Sequence, residues 1–412
     1  MKKRLFIIIV PLISLALALA GGFTLLWRFF LFLLVVLLFS YLWTRLSIRV
    51  IDGNVRKVSE HYQAGERFEA EFTVFNRSRI PSPLIEVQEE TNLPGYQNMV
   101  TFSLLPKGSH RWQTKVDCKR RGRYSLGTLN ATVSDPLGFF PLKRQLGEHR
   151  SIIVYPVTFD LPFFQALPRQ GLGPSQRRWL TVENGPNAAR VREYISGDSL
   201  RHIHWHSTAH TGTLMVKEFD PDRSNYAFKN IWIVLDMHHS SHLGEGEETI
   251  DEYSIMAAAS IAKNYIDSGK RVGLIASGER TYNFLPEAGT RHLQHILQAL
   301  ALIQATGNVP IDTLLTLESG RFDAGSAVIV ITSSDNQGIA TPLRRIVNRG
   351  SIVTAILLDS LSFGGRTSAA NSARRLISNG IHVYTIRQGV EIARALDSRL
   401  TSSSTQHIGD KV

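Results

Sequence analysis

The 412-residue sequence contains a single cysteine, Cys118, and no acidic residue among its first 50 positions. One cysteine excludes an internal disulfide bond and any zinc site built from several cysteines. The first 50 residues carry six basic side chains, residues 51–230 carry 24 basic and 18 acidic ones, and residues 231–412 carry 16 and 17. The positive excess therefore lies in the N-terminal and central parts of the chain. This distribution favours contact with an anionic membrane surface over a nucleic-acid-binding domain, so no nucleic-acid partner is expected.

Two uncharged apolar runs, residues 5–27 and 29–44, dominate the N-terminal end. A helix that crosses a bilayer needs about 20 apolar residues. The runs predict a transmembrane helical hairpin over residues 1–46 that turns near Gly21 and Gly22. Basic residues precede the first run and follow the second, and such residues stay on the cytoplasmic side. We therefore expect a cell-membrane protein with its main body in the cytoplasm.

A cleaved signal peptide is the alternative interpretation of the first run. The Ala-Leu-Ala sequence of residues 18–20 resembles a signal-peptidase site that follows a suitable apolar segment. The second run would then cross the membrane once, from outside to inside. Both interpretations leave the bulk of the chain in the cytoplasm.

Residues 47–228 have the pattern of a β-rich middle domain. Polar and apolar side chains alternate over residues 68–75 and 123–133, which predicts half-buried antiparallel strands and a β-sandwich-like fold. Residues 135–138 form a turn cluster. Residues 170–188 are rich in Gly, Pro, Asn and Ser, and we expect a long loop there.

A polar and aromatic block lies near the end of this domain. Gly197 and Asp198 can form a turn in which the carboxylate accepts hydrogen bonds from Arg201. Ile203 and Trp205 are two residues apart, so we expect them to share one strand face and to be buried together.

Histidines occupy the other alternating positions of the same block: His202, His204 and His206, with His210 following. A zinc site is one interpretation, but no cysteine or clearly placed carboxylate completes a ligand set. The favoured interpretation is a structural joint between two domains with a solvated basic face.

Residues 118–127, 134–140 and 192–218 resemble the DUF58 family. The resemblance covers almost the whole chain, and its strongest part is a signature of R-E-Y, G-D and R-x-I-x-W. In this sequence the signature residues are Arg192, Glu193, Tyr194, Gly197, Asp198, Arg201 and Trp205. The resemblance implies a membrane hairpin, a β domain and a von Willebrand factor A (vWA)-like domain. It also implies association with a MoxR-type AAA+ ATPase.

The pattern changes to alternating strands and helices in residues 229–398, and residues 399–412 form a polar tail. Continuous apolar strands with helices between them predict a doubly wound, Rossmann-type parallel sheet, in which ligands bind at the carboxyl ends of the strands. The predicted strands are residues 231–236, 271–277, 282–285, 327–332, 352–358 and 382–386, and the clearest predicted helices are 251–268 and 292–305.

The order of these elements resembles a vWA domain, whose metal-ion-dependent adhesion site uses a D-x-S-x-S motif, a Thr and a further Asp. Asp236 and Ser240 match the motif, with His238 in place of the middle Ser, and Thr290 and Asp335 resemble the later ligands. The resemblance thus implies a degenerate Mg²⁺ site, although Mg²⁺ prefers hard oxygen ligands to an imidazole. The alternative is a structural cluster in which Asp236 and Ser240 bind loop amides and Thr290 caps a helix.

The expected function is that of a non-enzymatic, membrane-anchored adaptor that works with a MoxR-type AAA+ ATPase in the assembly or maturation of other proteins. No catalytic residue is predicted, and Mg²⁺ is the only cofactor that the resemblance implies. One alternative is an envelope-associated scaffold without an ATPase partner. Another is a hydrolase that uses a Ser-His pair or Cys118, whose basic neighbours would lower the pKa of the thiol.

Overall fold

The computed structural model describes residues 2–21, 24–57, 62–147, 150–166, 181–182, 190–195, 203–218, 226–228, 230–336 and 338–400. The chain divides into two compact units, Met1–Pro156 (the N-terminal unit) and Val157–Val412 (the C-terminal unit). This division lies well before the boundary predicted at 228/229. The predicted loop 170–188 lies outside the described residues except for 181–182, and so does residue 401 onward of the predicted tail.

The N-terminal unit begins with two helices, α1 (Lys2–Gly21) and α2 (Thr24–Arg49). They contact each other, and the Ser14 hydroxyl of α1 donates to the Leu26 carbonyl of α2 at 3.4 Å. Among the described residues, α2 is the helix that is long and apolar enough to cross a membrane. A signal sequence near the N-terminus would meet the same criteria of length and composition as this helix.

Three small antiparallel or mixed sheets follow, with the orders β1-β3-β6, β2-β10-β7 and β5-β4-β8-β9. Apolar residues from all three enter one core, among them Phe72 of β3, Ile85 of β4 and Ile152 of β10. The strands are β1 (Ile51–Lys57), β2 (Tyr62–Gln63), β3 (Arg67–Asn76), β4 (Ser82–Glu90), β5 (Met99–Leu104), β6 (Ser109–Asp117), β7 (Gly122–Leu126), β8 (Thr128–Ser134), β9 (Leu142–Leu146) and β10 (Arg150–Tyr155).

The prediction of a single strand over residues 123–133 is wrong, because the strand is interrupted at Gly127. β7 and β8 lie on either side of this residue and belong to different sheets. Gly127 has φ = 87°, a backbone conformation that suits glycine, and its N–H donates to the buried Glu89 carboxylate at 2.9 Å. Glu89 also accepts from the Tyr96 hydroxyl at 2.7 Å, so one buried acid holds the corner.

The C-terminal unit continues the chain with further strands and helices. The strands are β11 (Thr181–Val182), β12 (Arg190–Glu193), β13 (Met215–Glu218), β14 (Tyr226–Ala227), β15 (Ile231–Leu235), β16 (Gly244–Glu245), β17 (Glu248–Thr249), β18 (Val272–Ser277), β19 (Thr281–Glu287), β20 (Ala327–Ser333), β21 (Ile352–Leu358) and β22 (His382–Ile386). The helices are α3 (Trp205–Thr211), α4 (Ile250–Asp267), α5 (Thr290–Leu302), α6 (Ile311–Glu318), α7 (Ala340–Asn348), α8 (Ala369–Ser378) and α9 (Ile392–Ala395).

Within residues 230–336 and 338–400, the main sheet has the order β19-β18-β15-β20-β21-β22. All neighbours are parallel except β19, which is antiparallel to β18. Counted along the chain, the order is 3-2-1-4-5-6, that of a doubly wound sheet. Trp232 and Val234 of β15 pack with residues of α6, α7 and α8, while Ile231 and Ile233 on the other face are also fully buried. The continuous apolar strands of the sequence are explained by this burial on both faces.

Residues 157–166 pack against the main sheet and its helices, which is why they group with the C-terminal unit. The Tyr384 hydroxyl of β22 donates to the Gln165 carbonyl at 2.9 Å, and the Ala166 N–H donates to the Tyr265 hydroxyl of α4 at 3.2 Å. Burial raises the pKa of both tyrosines. Loop carbonyls and amides thus satisfy two phenols that would otherwise lack partners.

Phe164→Ala should destabilise the C-terminal unit by about 3–5 kcal/mol, the usual cost of truncating a buried phenylalanine. Its ring is 6% exposed and lies 5.3 Å from the Tyr384 ring centre. The matched control is Phe163→Ala, because Phe163 is 42% exposed and its main contact is the Arg399 guanidinium, 3.3 Å from the ring centre. The control should cost about 1 kcal/mol or less. Urea unfolding of the full-length protein in detergent measures both, and equal losses would contradict the packing of this segment.

Candidate functional site

The candidate site lies at the carboxyl edge of the main sheet, between the neighbouring strands β15 and β20. From β15 the chain builds outward to β18 on one side and later to β20 on the other, so the crevice between β15 and β20 is the topological switch point. Ligands of doubly wound sheets bind at this crevice, beyond the carboxyl ends of the strands. Asp236 follows β15 directly at that edge, and its N–H donates to the Ile331 carbonyl of β20 at 3.0 Å.

The Asp236 carboxylate is 4% exposed and is surrounded by hydrogen-bond donors. One oxygen accepts from the Thr332 hydroxyl at 2.6 Å and from the Ser241 hydroxyl at 3.1 Å, and the other accepts from the His238 N–H at 3.1 Å. Burial raises the pKa of Asp236, and the hydrogen bonds from Thr332, His238 and Ser241 oppose that rise. The contacts connect the loop after β15 to β20, so Asp236 fixes the shape of this edge.

Ser240 does not take the place that the motif predicted for it. It is exposed, and its hydroxyl lies 2.7 Å from Nδ1 of His238, a nitrogen that also accepts from the Ser240 N–H at 3.3 Å. His238 therefore caps the short 3₁₀ turn His239–Ser241. This turn brings Ser241, one residue later, back to Asp236. The spacing of D-x-S-x-S did not point to Ser241 as the partner of Asp236, because a 3₁₀ turn does not keep the spacing of an extended loop.

Thr290 lies at the opposite edge of the sheet, so its predicted place beside Asp236 is wrong. It is the first residue of α5, behind the N-cap residue Gly289, and it does not cap the helix itself. Two residues later, Nε2 of His292 is 2.7 Å from the carbonyl oxygen of Val272, which pairs with the first residue of β15. Five strand residues separate that edge from Asp236, about 16 Å. The antiparallel β19 returns the chain to the amino edge before α5 begins.

Asp335 follows β20 at the same edge as Asp236 and is exposed. Of the predicted ligands, Asp236 and Asp335 thus share an edge, Ser240 pairs with a histidine, and Thr290 is elsewhere. In the described ranges, no three or more His, Cys, Asp or Glu side chains are grouped so that they could hold a metal ion. Asp236, Ser240, Thr290 and Asp335 are therefore not gathered into the one ligand set that the vWA resemblance implied.

Asp359 is a second buried acid at this edge, and the sequence reasoning did not identify it. It directly follows β21, and it accepts from the Ala369 N–H at the start of α8 at 2.8 Å. The Arg387 guanidinium after β22 lies 3.3 Å from its other oxygen. An acid immediately after a continuous apolar strand was the signal, the same one that pointed to Asp236.

The described part of the DUF58-like signature contributes to a two-stranded antiparallel sheet. β12 pairs with β13 so that Arg192 faces Val216, and the Tyr194 N–H donates to the Leu214 carbonyl at 2.8 Å. Glu193 is the last residue of β12. The remaining turn and basic residues of the signature, Gly197, Asp198 and Arg201, lie outside the described residues, as does His202.

Trp205 begins helix α3 and is 68% exposed, so the expectation that it shares a buried strand face with Ile203 is wrong. Ile203 alone is buried. The physical reason is local: Nδ1 of His204 accepts from the Ser207 N–H at 3.2 Å and caps a helix where alternation suggested a strand. Ser207 also places its hydroxyl 2.7 Å from the same nitrogen. This histidine is a helix cap.

Cys118 is fully buried, and burial raises the pKa of its thiol above the ordinary value. The expected lowering by basic neighbours is therefore wrong. Its N–H donates to the Glu66 carbonyl at 3.0 Å, between β6 and β7. A buried thiol with a raised pKa is a packing residue rather than a nucleophile.

Thr332→Val should destabilise the C-terminal unit by about 1–3 kcal/mol, because valine keeps the shape but removes a hydroxyl from the buried Asp236 carboxylate. Ser240→Ala removes an exposed hydroxyl from the residue next to Ser241 of the same cluster and should change stability by about 0.5 kcal/mol or less. Chemical unfolding of the two full-length variants gives the difference. A larger loss in Ser240→Ala than in Thr332→Val would show that the motif serine, and not Thr332, supports the edge.

Titration of the full-length protein with Mg²⁺ or Mn²⁺ should produce no binding heat and no change in melting temperature, because the predicted ligands are not brought together. Isothermal titration calorimetry and thermal unfolding are the measurements. A saturable heat that Asp335→Ala abolishes would contradict this expectation and restore a metal site at the carboxyl edge.

The family described as "Protein of unknown function DUF58" matches residues 190–362, from β12 to beyond β21. An uncharacterized protein of Bacillus subtilis (strain 168), YeaD, is 24% identical over 322 residues, which are 76% of this chain and 77% of that protein. Among solved structures, the CARDB domain of the PF1109 protein from Pyrococcus furiosus is 21% identical over 25% of this chain and 84% of its own, with a TM-score of 0.20. Proximal thread matrix protein 1 from the mussel byssus is 14% identical over 42% of this chain and 46% of its own, with a TM-score of 0.31.

Proposed function

We propose that the protein is a membrane-anchored, non-enzymatic adaptor that binds a partner protein through the carboxyl edge of its main sheet. The partner class is a MoxR-type AAA+ ATPase, and the pair would act in the assembly or maturation of other proteins. The observation that carries the proposal is the hydrogen bond from Thr332 to the buried Asp236, which joins the loop after β15 to β20 at the switch point.

The architecture of the C-terminal unit supports a vWA-like domain. Its strand order, with a parallel sheet and one antiparallel edge strand, agrees with the order of elements that suggested this domain from the sequence. The signature residues favour the partner class, since the DUF58 resemblance implies a MoxR-type ATPase. The family match over residues 190–362 supports that resemblance.

Exposed side chains on a rigid base give the carboxyl edge the character of a docking surface. Asp236 and Asp359 are buried and bind the loops that follow their strands, whereas Asp335 and Leu361 are exposed in the loops after β20 and β21. Arg387 extends from the loop after β22 with most of its side chain accessible. An apolar side chain and an arginine among fixed loops are typical of protein–protein contacts. This docking requires no metal ion.

The basic and apolar N-terminal residues support a membrane anchor. α2 has 26 residues, about 39 Å of helix; Arg49 lies in its last turn and Arg45 one turn earlier. These arginines fit an anionic inner leaflet, which supports a cytoplasmic location of the domains. A signal peptide in α1 would leave the orientation of α2 the same.

A hydrolase is the second candidate, because Ser240 and His238 are within hydrogen-bond distance on the exposed edge. The pair argues more strongly for a helix cap: Nδ1 of His238 also accepts from the backbone N–H of Ser240, two residues away. A catalytic histidine is usually oriented by a third group and activates a serine from another part of the fold.

Affinity capture from detergent-solubilised native membranes tests the adaptor proposal. Tagged full-length protein should recover a MoxR-type AAA+ ATPase, identified by mass spectrometry. Asp335→Arg places the opposite charge on the proposed docking edge and should abolish recovery. Thr290→Arg is the matched control, since it adds the same side chain at the opposite, exposed edge of the sheet.

Recovery by the wild type and by Thr290→Arg, but not by Asp335→Arg, would support both the partner and the surface. Equal recovery by both variants would assign the contact to another face. Absence of any AAA+ ATPase from the wild-type capture would favour the scaffold alternative.

A further inference from the structure

The loop between β8 and β9 carries an exposed apolar sequence that the proposed function does not use. Residues 135–141 read Asp-Pro-Leu-Gly-Phe-Phe-Pro, and no charged residue follows Asp135 before Lys143. Leu137 is 56% exposed, and Phe139 and Phe140 are partly exposed. We call residues 135–141 the apolar loop.

Asp135 gives the apolar loop a fixed shape. Its carboxylate is buried and accepts from the Leu137 N–H at 3.1 Å and from the Phe140 N–H at 2.8 Å. The Gly138 N–H donates to the Asp135 carbonyl at 3.0 Å, with φ = 70° at the glycine. Leu137 therefore stands at the tip of a tight turn in which the N–H groups of Leu137, Gly138 and Phe140 all donate to Asp135.

The apolar loop packs against the side of α2. The hydroxyl of Ser40, a buried residue of α2, donates to the Asp135 carboxylate. The Phe140 ring meets the Tyr41 ring edge-on with 5.8 Å between centres. Phe140 also lines an apolar groove with residues of both N-terminal helices: Pro11, Leu34, Leu37, Leu38 and Tyr41. The loop thus lies beside the apolar part of α2 rather than beyond its end.

The position of these contacts along α2 gives their depth. Leu34 and Leu38 precede Arg45 by eleven and seven residues, which correspond to about 16 Å and 10 Å of helix. If Arg45 lies at the lipid headgroups, as an arginine flanking a span does, the groove that Phe140 lines is at the level of the acyl chains. A loop that contacts the helix at this level is surrounded by lipid on its exposed side.

We propose that the apolar loop inserts into the cytoplasmic leaflet beside α2, with Leu137 among the acyl chains and Lys143 at the headgroups. The inference rests on the membrane anchor of the proposed function. The occupant of the exposed face is the bilayer, because the loop is continuous with the apolar surface of α2 and is followed by two basic residues, Lys143 and Arg144. The β-rich part of the N-terminal unit is then held to the membrane at two points.

Site-specific fluorescence in vesicles tests the insertion. The full-length Leu137→Cys protein is labelled with a polarity-sensitive fluorophore and reconstituted into phosphatidylcholine and phosphatidylglycerol vesicles, with or without a lipid that carries a nitroxide quencher on its acyl chain. The native Cys118 is fully buried, so wild-type protein serves as the unlabelled background. We expect the nitroxide lipid to remove most of the fluorescence at position 137.

Two control positions separate the loop from the anchor. Phe32→Cys reports on the exposed side of α2. Arg67→Cys lies at the far end of β3, nine residues from Asn76, which pairs with Ile51 at the start of β1; that is about 30 Å along the strand. Quenching at 32 and 137 but not at 67 supports the proposal.

Quenching at 32 without quenching at 137 overturns the insertion of the loop and leaves the anchor intact. Absence of quenching at 32 overturns the anchor itself, and the insertion with it. Equal quenching at 67 and 137 would also overturn the proposal, because it would show that the label reports general adsorption of the domain to vesicles.

Discussion

A carboxylate that follows a buried strand has to find donors within the protein, because an unpaired buried charge costs several kcal/mol. Asp135 after β8, Asp236 after β15 and Asp359 after β21 all meet this constraint in the same way. Each accepts hydrogen bonds from backbone N–H groups or hydroxyls of the chain that follows or of a neighbouring strand. The loops at these strand ends are consequently shaped by the acid that begins them.

The same constraint gives the carboxyl edge of the main sheet a defined shape. The hydroxyls of Thr332 and Ser241 both donate to the Asp236 carboxylate and so join the loop after β15 to β20. Arg387 and the start of α8 do the same for Asp359. An edge organised in this way keeps its shape in the absence of a partner, which lowers the ordering cost of binding one.

The main sheet could be predicted from the sequence because its strands are buried on both faces, so that β15, β20 and β21 appear as unbroken apolar runs. Asp236 was found for the same reason, as the polar residue that ends such a run. Thr290 was predicted at the wrong edge because the order of motifs does not reveal the direction in which each strand runs. The antiparallel β19 returns the chain to the amino edge before α5.

Other features depended on local geometry or on distant contacts. Because of a 3₁₀ turn, Ser241 rather than Ser240 donates to Asp236. At Trp205, where a strand was expected, a histidine cap starts a helix. The division at 156/157 was invisible because residues 157–166 have no periodicity. Their place is decided by partners such as Tyr265 and Tyr384, roughly 100 and 220 positions away.

The junction between α2 and β1 is closed by a single guanidinium. One nitrogen of Arg144 donates to the carbonyls of Ile48, Arg49 and Ile51, at 3.0, 2.6 and 3.2 Å, so the helix passes into the first strand without a flexible linker. A membrane helix adapts to bilayer thickness by changing its tilt. Because this joint is stiff, any such tilt would rotate the attached strands together with the helix. The orientation of the β-rich domain would then depend on the thickness of the surrounding membrane.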